Sequence, residues 1–227
     1  MKIYVYRLQL DRQPLDELDP KKLTLFEKRE WMQISNGLRR DQFLASRIAL
    51  KEVLRSFHQA PLKKGVRRAP SGRPFIEKGS ISISHSQSTL IFAYSPHVEI
   101  GIDVELAEKV PRYLKIASRY FTSAELKYIQ KPLNENVRYK RFLLLWCTKE
   151  AGVKLEGGTL GQSLKQQTVL GPDKGKCRYF WNAKIRTALA TKADIDWSEI
   201  HTYELSFKNA EFFRTELKSK FRSFGHY

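Results

Sequence analysis

Asp103 and Glu105 stand one residue apart at the end of an apolar run, Gly101-Ile102-Asp103-Val104-Glu105, and further along comes Trp146-Cys147-Thr148-Lys149-Glu150-Ala151-Gly152-Val153-Lys154. In an extended strand alternate side chains share a face, so the two carboxylates lie about 7 Å apart along one side while Ile102 and Val104 turn to the core. On a helix, Trp146, Glu150 and Lys154 recur every four residues and form one stripe. Two carboxylates on a strand, a third on a helix and an ammonium one turn beyond suit a hard divalent cation bound to a phosphorylated ligand. Val104 cannot ligate, which makes Glu150 the candidate for a third protein ligand. Plainer readings exist: an Asp-x-Glu pair on the wet face of a sheet, and Lys149-Glu150 on the solvated side of an amphipathic helix. The stripe shared with Trp146 weighs against the second, because it puts Glu150 and Lys154 at the edge of the buried face.

Other segments offer partners for an anion. Ser82-Ile83-Ser84-His85-Ser86 alternates like a strand and ends in a small polar cluster. A serine beside a histidine suggests a hydrolase, but no Gly-x-Ser-x-Gly elbow accompanies it, and a histidine among hydroxyls serves equally as a donor to phosphate. In Ser71-Gly72-Arg73-Pro74-Phe75, Gly72 allows close backbone approach and Pro74 fixes the chain beyond Arg73. Arg47 and Lys28 upstream add cations suited to phosphate contacts. Lys63, Lys64, Arg67 and Arg68 are expected to be solvated or partner-facing.

Those residues need elements to hold them. Strands are predicted over 2–10, 81–84, 90–94 and 99–105, with weaker ones near 177–185 and 200–207. Helices are predicted over 20–34, 40–57, 111–120 and 137–155, with a further one opened by the capping box Thr122-Ser123-Ala124-Glu125. Gly157-Gly158 should end the tryptophan-bearing helix, residues 61–74 read as irregular, and 211–224 as a basic amphipathic end. No repeat aligns by residue identity.

With 227 residues, 41% of them hydrophobic, the chain can bury a core. Lys and Arg number 41 against 24 Asp and Glu, a formal charge of +17 that is spread over both halves. Such a field attracts polyphosphates, acidic proteins, nucleic acid or membrane surfaces alike. Two cysteines, Cys147 and Cys177, exclude a disulfide scaffold and a zinc-finger spacing. An early charge at Lys2 and the lack of a long apolar run lead to the expectation of a cytoplasmic protein that neither enters nor crosses a membrane.

Taken together, Gly72-Arg73-Pro74, Ile83-Ser84-His85-Ser86, Gly101 to Glu105, Phe121 to Glu125 and Trp146 to Lys154 resemble the 4′-phosphopantetheinyl transferases, in particular the long monomeric type. The resemblance implies an α+β fold of two similar halves, 1–101 and 102–227, related by a pseudo-two-fold, each a small sheet with packed helices and the active site in the cleft between them. It implies Mg2+ on Asp103, Glu105 and Glu150, with coenzyme A as co-substrate. Arg47 and His85 would lie near the nucleotide 3′-phosphate, Arg73 and Lys154 on the phosphates, Gly72, Pro74 and Ser84 close to the nucleotide, and Lys28 among the cofactor contacts. Glu150 and Lys154 would carry the catalysis. The partner implied is an acidic apo acyl or peptidyl carrier protein, and no nucleic acid. Two alternatives stand beside it: a magnesium-dependent nucleotide phosphohydrolase using the same carboxylates, and a basic nucleic-acid-binding protein, for which basic residues interleaved with Tyr, Phe and Trp are the signal.

Overall fold

The structure, a computed structural model, describes residues 1–60, 62–108, 110–157, 164, 177–181, 185–217 and 222–223; of 177–181, 197 and 222–223 it describes the backbone alone. Gly158 and the end of the expected basic stretch at Phe224 lie outside the described residues. The chain is a mixed α+β fold, as expected from the sequence.

The first strand, β1 (Ile3–Gln9), is followed by three short 3-10 turns and then by α1 (Leu25–Met32) and α2 (Gly37–His58). A single helix over 20–34 does not form. Asp19 caps a 3-10 turn, and the chain restarts at Thr24, whose hydroxyl accepts from the Glu27 N–H while the Glu27 carboxylate accepts from the Thr24 N–H. A small hairpin, β2 (Arg67–Arg68) and β3 (Pro74–Phe75), occupies the stretch read as irregular. Next come β4 (Ser80–Ser86), β5 (Thr89–Ser95) and β6 (Ile100–Leu106). Three helices follow, α3 (Tyr113–Tyr120), α4 (Ser123–Gln130) and α5 (Glu135–Glu156), then β7 (Cys177–Trp181), β8 (Ile185–Thr191), β9 (Ile200–Lys208), β10 (Glu211–Glu216) and β11 (Arg222–Ser223). Of the expected basic end, Glu211–Glu216 and Arg222–Ser223 are strand, and 218–221 lie outside the described residues.

One sheet has the order β10-β9-β1-β5-β4 and the other β11-β7-β8-β6. β9 runs parallel to β1, with Ile3 opposite Ile200, so the first sheet draws on strands from both ends of the chain. Both faces of that sheet are covered. Tyr6, Leu8 and Phe92 pack under α2, whereas Ile3, Val5, Ile91 and Ala93 meet Ile100, Ile102, Val104 and Leu189 of the second sheet. This explains why β5 is buried along its whole length.

A repeat that identity does not reveal is plain in the structure. α1 and α2 recur as α4 and α5 at a constant offset of 98 positions (122 − 24 for the capping threonines). The same offset links the N-caps Asn36 and Asn134, the left-handed C-caps Gln59 and Gly157, and two buried ion pairs, Glu27–Lys51 at 2.5 Å and Glu125–Lys149 at 3.0 Å. In each copy the capping-box glutamate is wholly buried and accepts from a lysine on the long helix. The antiparallel trios β1-β5-β4 and β6-β8-β7 recur in the same order.

Lys149, adjacent to Glu150, is thus a core residue with no exposure, its ammonium also donating to the Leu164 carbonyl at 2.5 Å. Burial pushes its pKa down while Glu125 opposes the shift. Removing one member of such a pair strands the other charge in the interior. Lys149→Ala is expected to destabilise the fold by about 3–5 kcal/mol in urea unfolding. Lys51→Ala should cost less, because that lysine retains 15% exposure and Glu27 keeps backbone donors at Thr24 and Val66.

Candidate active site

β6 carries the acidic pair, and what covers it is α5. At Gly101 the strand and helix backbones touch: a Cβ there would lie 2.0 Å from the Ala151 carbonyl oxygen and 2.6 Å from the Leu155 nitrogen. Only the absence of a side chain permits this approach. It turns the Asp103 and Glu105 face toward the stripe of Trp146, Glu150 and Lys154. Trp146 Nε1 donates to Glu105 Oε1 at 3.1 Å, and Lys154 Nζ lies 2.8 Å from Asp103 Oδ1.

The other edge of β6 meets β4 through hydroxyls. Ser80, Ser82 and Ser84 accept the backbone N–H groups of Ile100, Ile102 and Val104 at 3.2, 2.9 and 3.3 Å. A sheet-like junction is thereby formed with side-chain oxygens in place of carbonyls, and these buried donors are satisfied. The same serines reach into the site: Ser84 donates to Asp103 Oδ1 at 2.8 Å, and Ser86 to Glu105 Oε2 at 3.1 Å. Sequence reading placed Ser84 near a ligand and did not foresee the seam; its signal is the Ser-Ile-Ser-Ile-Ser alternation at 80–84.

These elements wall a cavity of about 1010 Å³ lined by Asp103, Glu105, Glu150, Lys154, Ser84, His85, Gly72, Arg73, Pro74 and Arg47. Every residue expected to bind the metal or cofactor or to carry catalysis lines it except Lys28, which is exposed on α1. Arg39 and Arg68 line it too. Nothing in their sequence context separates these two from the other basic residues.

The wall formed by β6 and α5 carries the carboxyl groups. Burial first, and then Asp103 and Glu105, raise the Glu150 carboxyl to about 8; burial and Asp103 raise Glu105 as well. Among the described residues no three acidic, histidine or cysteine side chains are already drawn together at metal-ligand spacing. Their own partners hold them: Lys154 and Ser84 occupy one oxygen of Asp103, and Trp146 and Ser86 occupy Glu105. The second oxygen of Asp103, Oδ2, is buried with no hydrogen-bond partner. An orphaned carboxylate oxygen among three carboxylates is a donor set suited to a hard, oxygen-seeking cation.

The α2 wall is cationic. Arg47 is 3% exposed, its guanidinium 4.3 Å over the Phe43 ring, with Nη1 donating to Ser46 and Nε lacking a partner. Burial, then Arg68, lower its pKa to about 10. No ion pair links it to a carboxylate among the described residues. A buried guanidinium left in this state calls for an anion from outside the chain. Partial burial of the ring, then Lys154 and Arg39, hold His85 below the usual imidazole pKa. Arg73 pairs with Glu99 at 3.1 Å, and Gly72, at a φ of +84°, makes the tight turn between Ala69 and Arg73.

A cavity with carboxyl groups on one side and guanidinium groups on the other, set on a twice-used capped-helix unit, is chemically suited to a phosphorylated ligand. The chain belongs to the 4′-phosphopantetheinyl transferase superfamily, whose family model matches residues 99–215. It is 30% identical over 146 residues to a Synechocystis protein provisionally named as a 4′-phosphopantetheinyl transferase, covering 62% of this chain and 58% of that protein. It is 28% identical over 141 residues to a 4′-phosphopantetheinyl transferase of Salmonella typhimurium, covering 61% of this chain and 70% of the relative. A Bacillus pumilus 4′-phosphopantetheinyl transferase is 27% identical over 189 residues, covering 78% of this chain and 77% of its own length. The matched stretch thus spans little more than half of the Synechocystis relative.

Gly101→Ala tests the strand–helix contact. Forcing a methyl group between two backbones should cost about 1–3 kcal/mol or more in unfolding free energy, since no flexible side chain can yield. Ala151→Gly, which leaves the obstructing carbonyl in place, should not rescue it.

Proposed function

We propose that the chain transfers the 4′-phosphopantetheine group of coenzyme A to a serine hydroxyl of an apo carrier protein. The observation that carries this reading is the pairing, in one cavity, of the orphaned Arg47 guanidinium with the Asp103–Glu105–Glu150 carboxylates and Lys154. A ligand bearing a phosphomonoester and a diphosphate satisfies both walls. Arg47, with His85 and Arg39, receives the 3′-phosphate; Arg73, Lys154 and the backbone at Gly72 receive the diphosphate, with Pro74 and Ser84 beside the nucleotide.

A magnesium ion held by Asp103, Glu105 and Glu150 would, when bound, neutralise diphosphate charge and orient it for attack. The serine oxygen forms a bond to the phosphorus that carries pantetheine, and the bond from that phosphorus to the bridging oxygen breaks. Adenosine 3′,5′-bisphosphate leaves. Glu150 accepts the hydroxyl proton from the α5 wall. Lys154 and Arg73 stabilise the charge that grows on the transferred phosphoryl and leaving oxygens. Lys28, exposed on α1, is kept as an outer contact for the nucleotide.

The +17 charge gives an acidic carrier long-range attraction. Residues from both 1–101 and 102–227 line the cavity, so a monomer suffices. The proposed enzyme is placed in the cytoplasm, where its coenzyme A and carrier would be met; among the described residues no helix is long and apolar enough to cross a membrane.

Asp103→Ala and Glu150→Ala are each expected to lower turnover roughly a hundredfold or more, measured by mass spectrometry of an apo carrier incubated with coenzyme A and magnesium. Near-normal transfer by both variants would refute the carboxylate assignment; phosphate release without a pantetheine adduct would favour a phosphohydrolase. Arg47→Met should raise the KM for coenzyme A roughly tenfold or more and leave that for 3′-dephospho-coenzyme A nearly unchanged. Equal losses on both substrates would show that Arg47 serves the fold and not the 3′-phosphate.

A further inference from the structure

Lys154 sits where its charge is needed by the protein before any ligand arrives. Its ammonium lies 2.8 Å from Asp103 Oδ1 and 2.8 Å from Ser84 Oγ, and Ser84 in turn donates to the same carboxylate oxygen at 2.8 Å. The three groups close a triangle on one side of Asp103. The other side, Oδ2, is buried without a partner, on a residue with only 3% exposure. The ammonium is therefore the cation that offsets a crowded set of carboxylates, yet it leaves half of the Asp103 carboxylate unsatisfied.

We infer that Lys154 is a resident counter-ion that a divalent cation displaces, and that displacement delivers its ammonium to the ligand's phosphates. This rests on the proposed placement of magnesium at Asp103, Glu105 and Glu150. Two cations drawn to one buried carboxylate repel each other, so the more highly charged one loosens the lysine's hold on Asp103. Lys154 can leave without disturbing the fold, because its charge ends a flexible four-carbon stem in the last turn of α5, where the helix dipole favours a cation wherever the stem points. The side chain lines the same cavity as Arg73 and His85, so the released ammonium meets the bound anion. Ser84 remains as donor to Asp103, holding the carboxylate in place while its cationic partner changes. Binding the ion and arming the phosphate contact become one event.

The test is Mn2+ binding by calorimetry and electron paramagnetic resonance, on the whole protein without coenzyme A. Lys154→Met is expected to bind Mn2+ roughly tenfold more tightly than the parent protein, because the ion no longer competes with a charge-assisted hydrogen bond, and Lys154→Arg should return to near the parent affinity. Asp103→Asn should bind weakly. Equal or weaker binding by Lys154→Met, with binding still dependent on Asp103, would overturn the counter-ion role and leave the metal reading standing. Binding unaffected by Asp103→Asn would overturn both. A second measurement needs no variant: reductive methylation of Lys154 in the parent protein, read by peptide mass spectrometry, should accelerate several-fold on adding Mg2+. Unchanged or slower labelling at saturating ion would contradict displacement.

Discussion

The backbone contact between β6 and α5 at Gly101 is the constraint on which the site depends. Where a carbonyl of the helix stands 2.0 Å from the place of a missing Cβ, the helix can neither slide outward nor rotate without losing the contact. That contact aims the Trp146–Glu150–Lys154 stripe at Asp103 and Glu105. From the other edge, the serines of β4 hold β6 through its own N–H groups. Asp103 is thus fixed from two directions by elements far apart in sequence, and its second oxygen, Oδ2, is left buried without a hydrogen-bond partner among the described residues. The order of cause runs from a glycine, to a helix position, to a carboxylate geometry.

Charge is used in two distinct ways on this scaffold. Deep in each copy of the repeat, a capping-box glutamate and a long-helix lysine satisfy each other, and their function is structural. In the cavity the carboxyl groups gather on the β6–α5 side and guanidinium groups on the side of α2 and the β2–β3 hairpin, with Lys154 beside Asp103 and Glu30 beside Arg68. Burial first, and then neighbouring like charges, raise Glu150 and lower Arg47, each toward its neutral form. Such an arrangement is costly on its own, and the proposed ligand, with its phosphates and a metal ion, would offset that cost.

Much of this was legible in the sequence, for physical reasons that differ by element. The alternation in 101–105 and the four-residue spacing of 146, 150 and 154 are direct consequences of strand and helix geometry, and they put Asp103, Glu105, Glu150 and Lys154 in one cavity as anticipated. The Thr122–Glu125 capping box was readable because its hydrogen bonds are local. What escaped depends on contacts between distant segments. The serine seam requires knowing that β4 lies beside β6. Lys149 reads as a surface residue until Glu125 is found opposite it. The 98-residue repeat retains few identities, the capping and ion-pair residues with a handful of others such as Arg40/Arg138 and Glu52/Glu150, and the pairing of β9 with β1 joins segments from far apart in the chain.

The central claim is that the orphaned Asp103 oxygen and the orphaned Arg47 guanidinium serve the same ligand. A crystal structure with coenzyme A and Mn2+, using anomalous scattering to locate the ion, tests it most directly. The expected result is an anomalous peak about 2.0–2.3 Å from Asp103 Oδ2 that also touches a diphosphate oxygen, with the 3′-phosphate against Arg47. A peak away from Asp103, or coenzyme A bound with its 3′-phosphate out of reach of Arg47, would contradict the account.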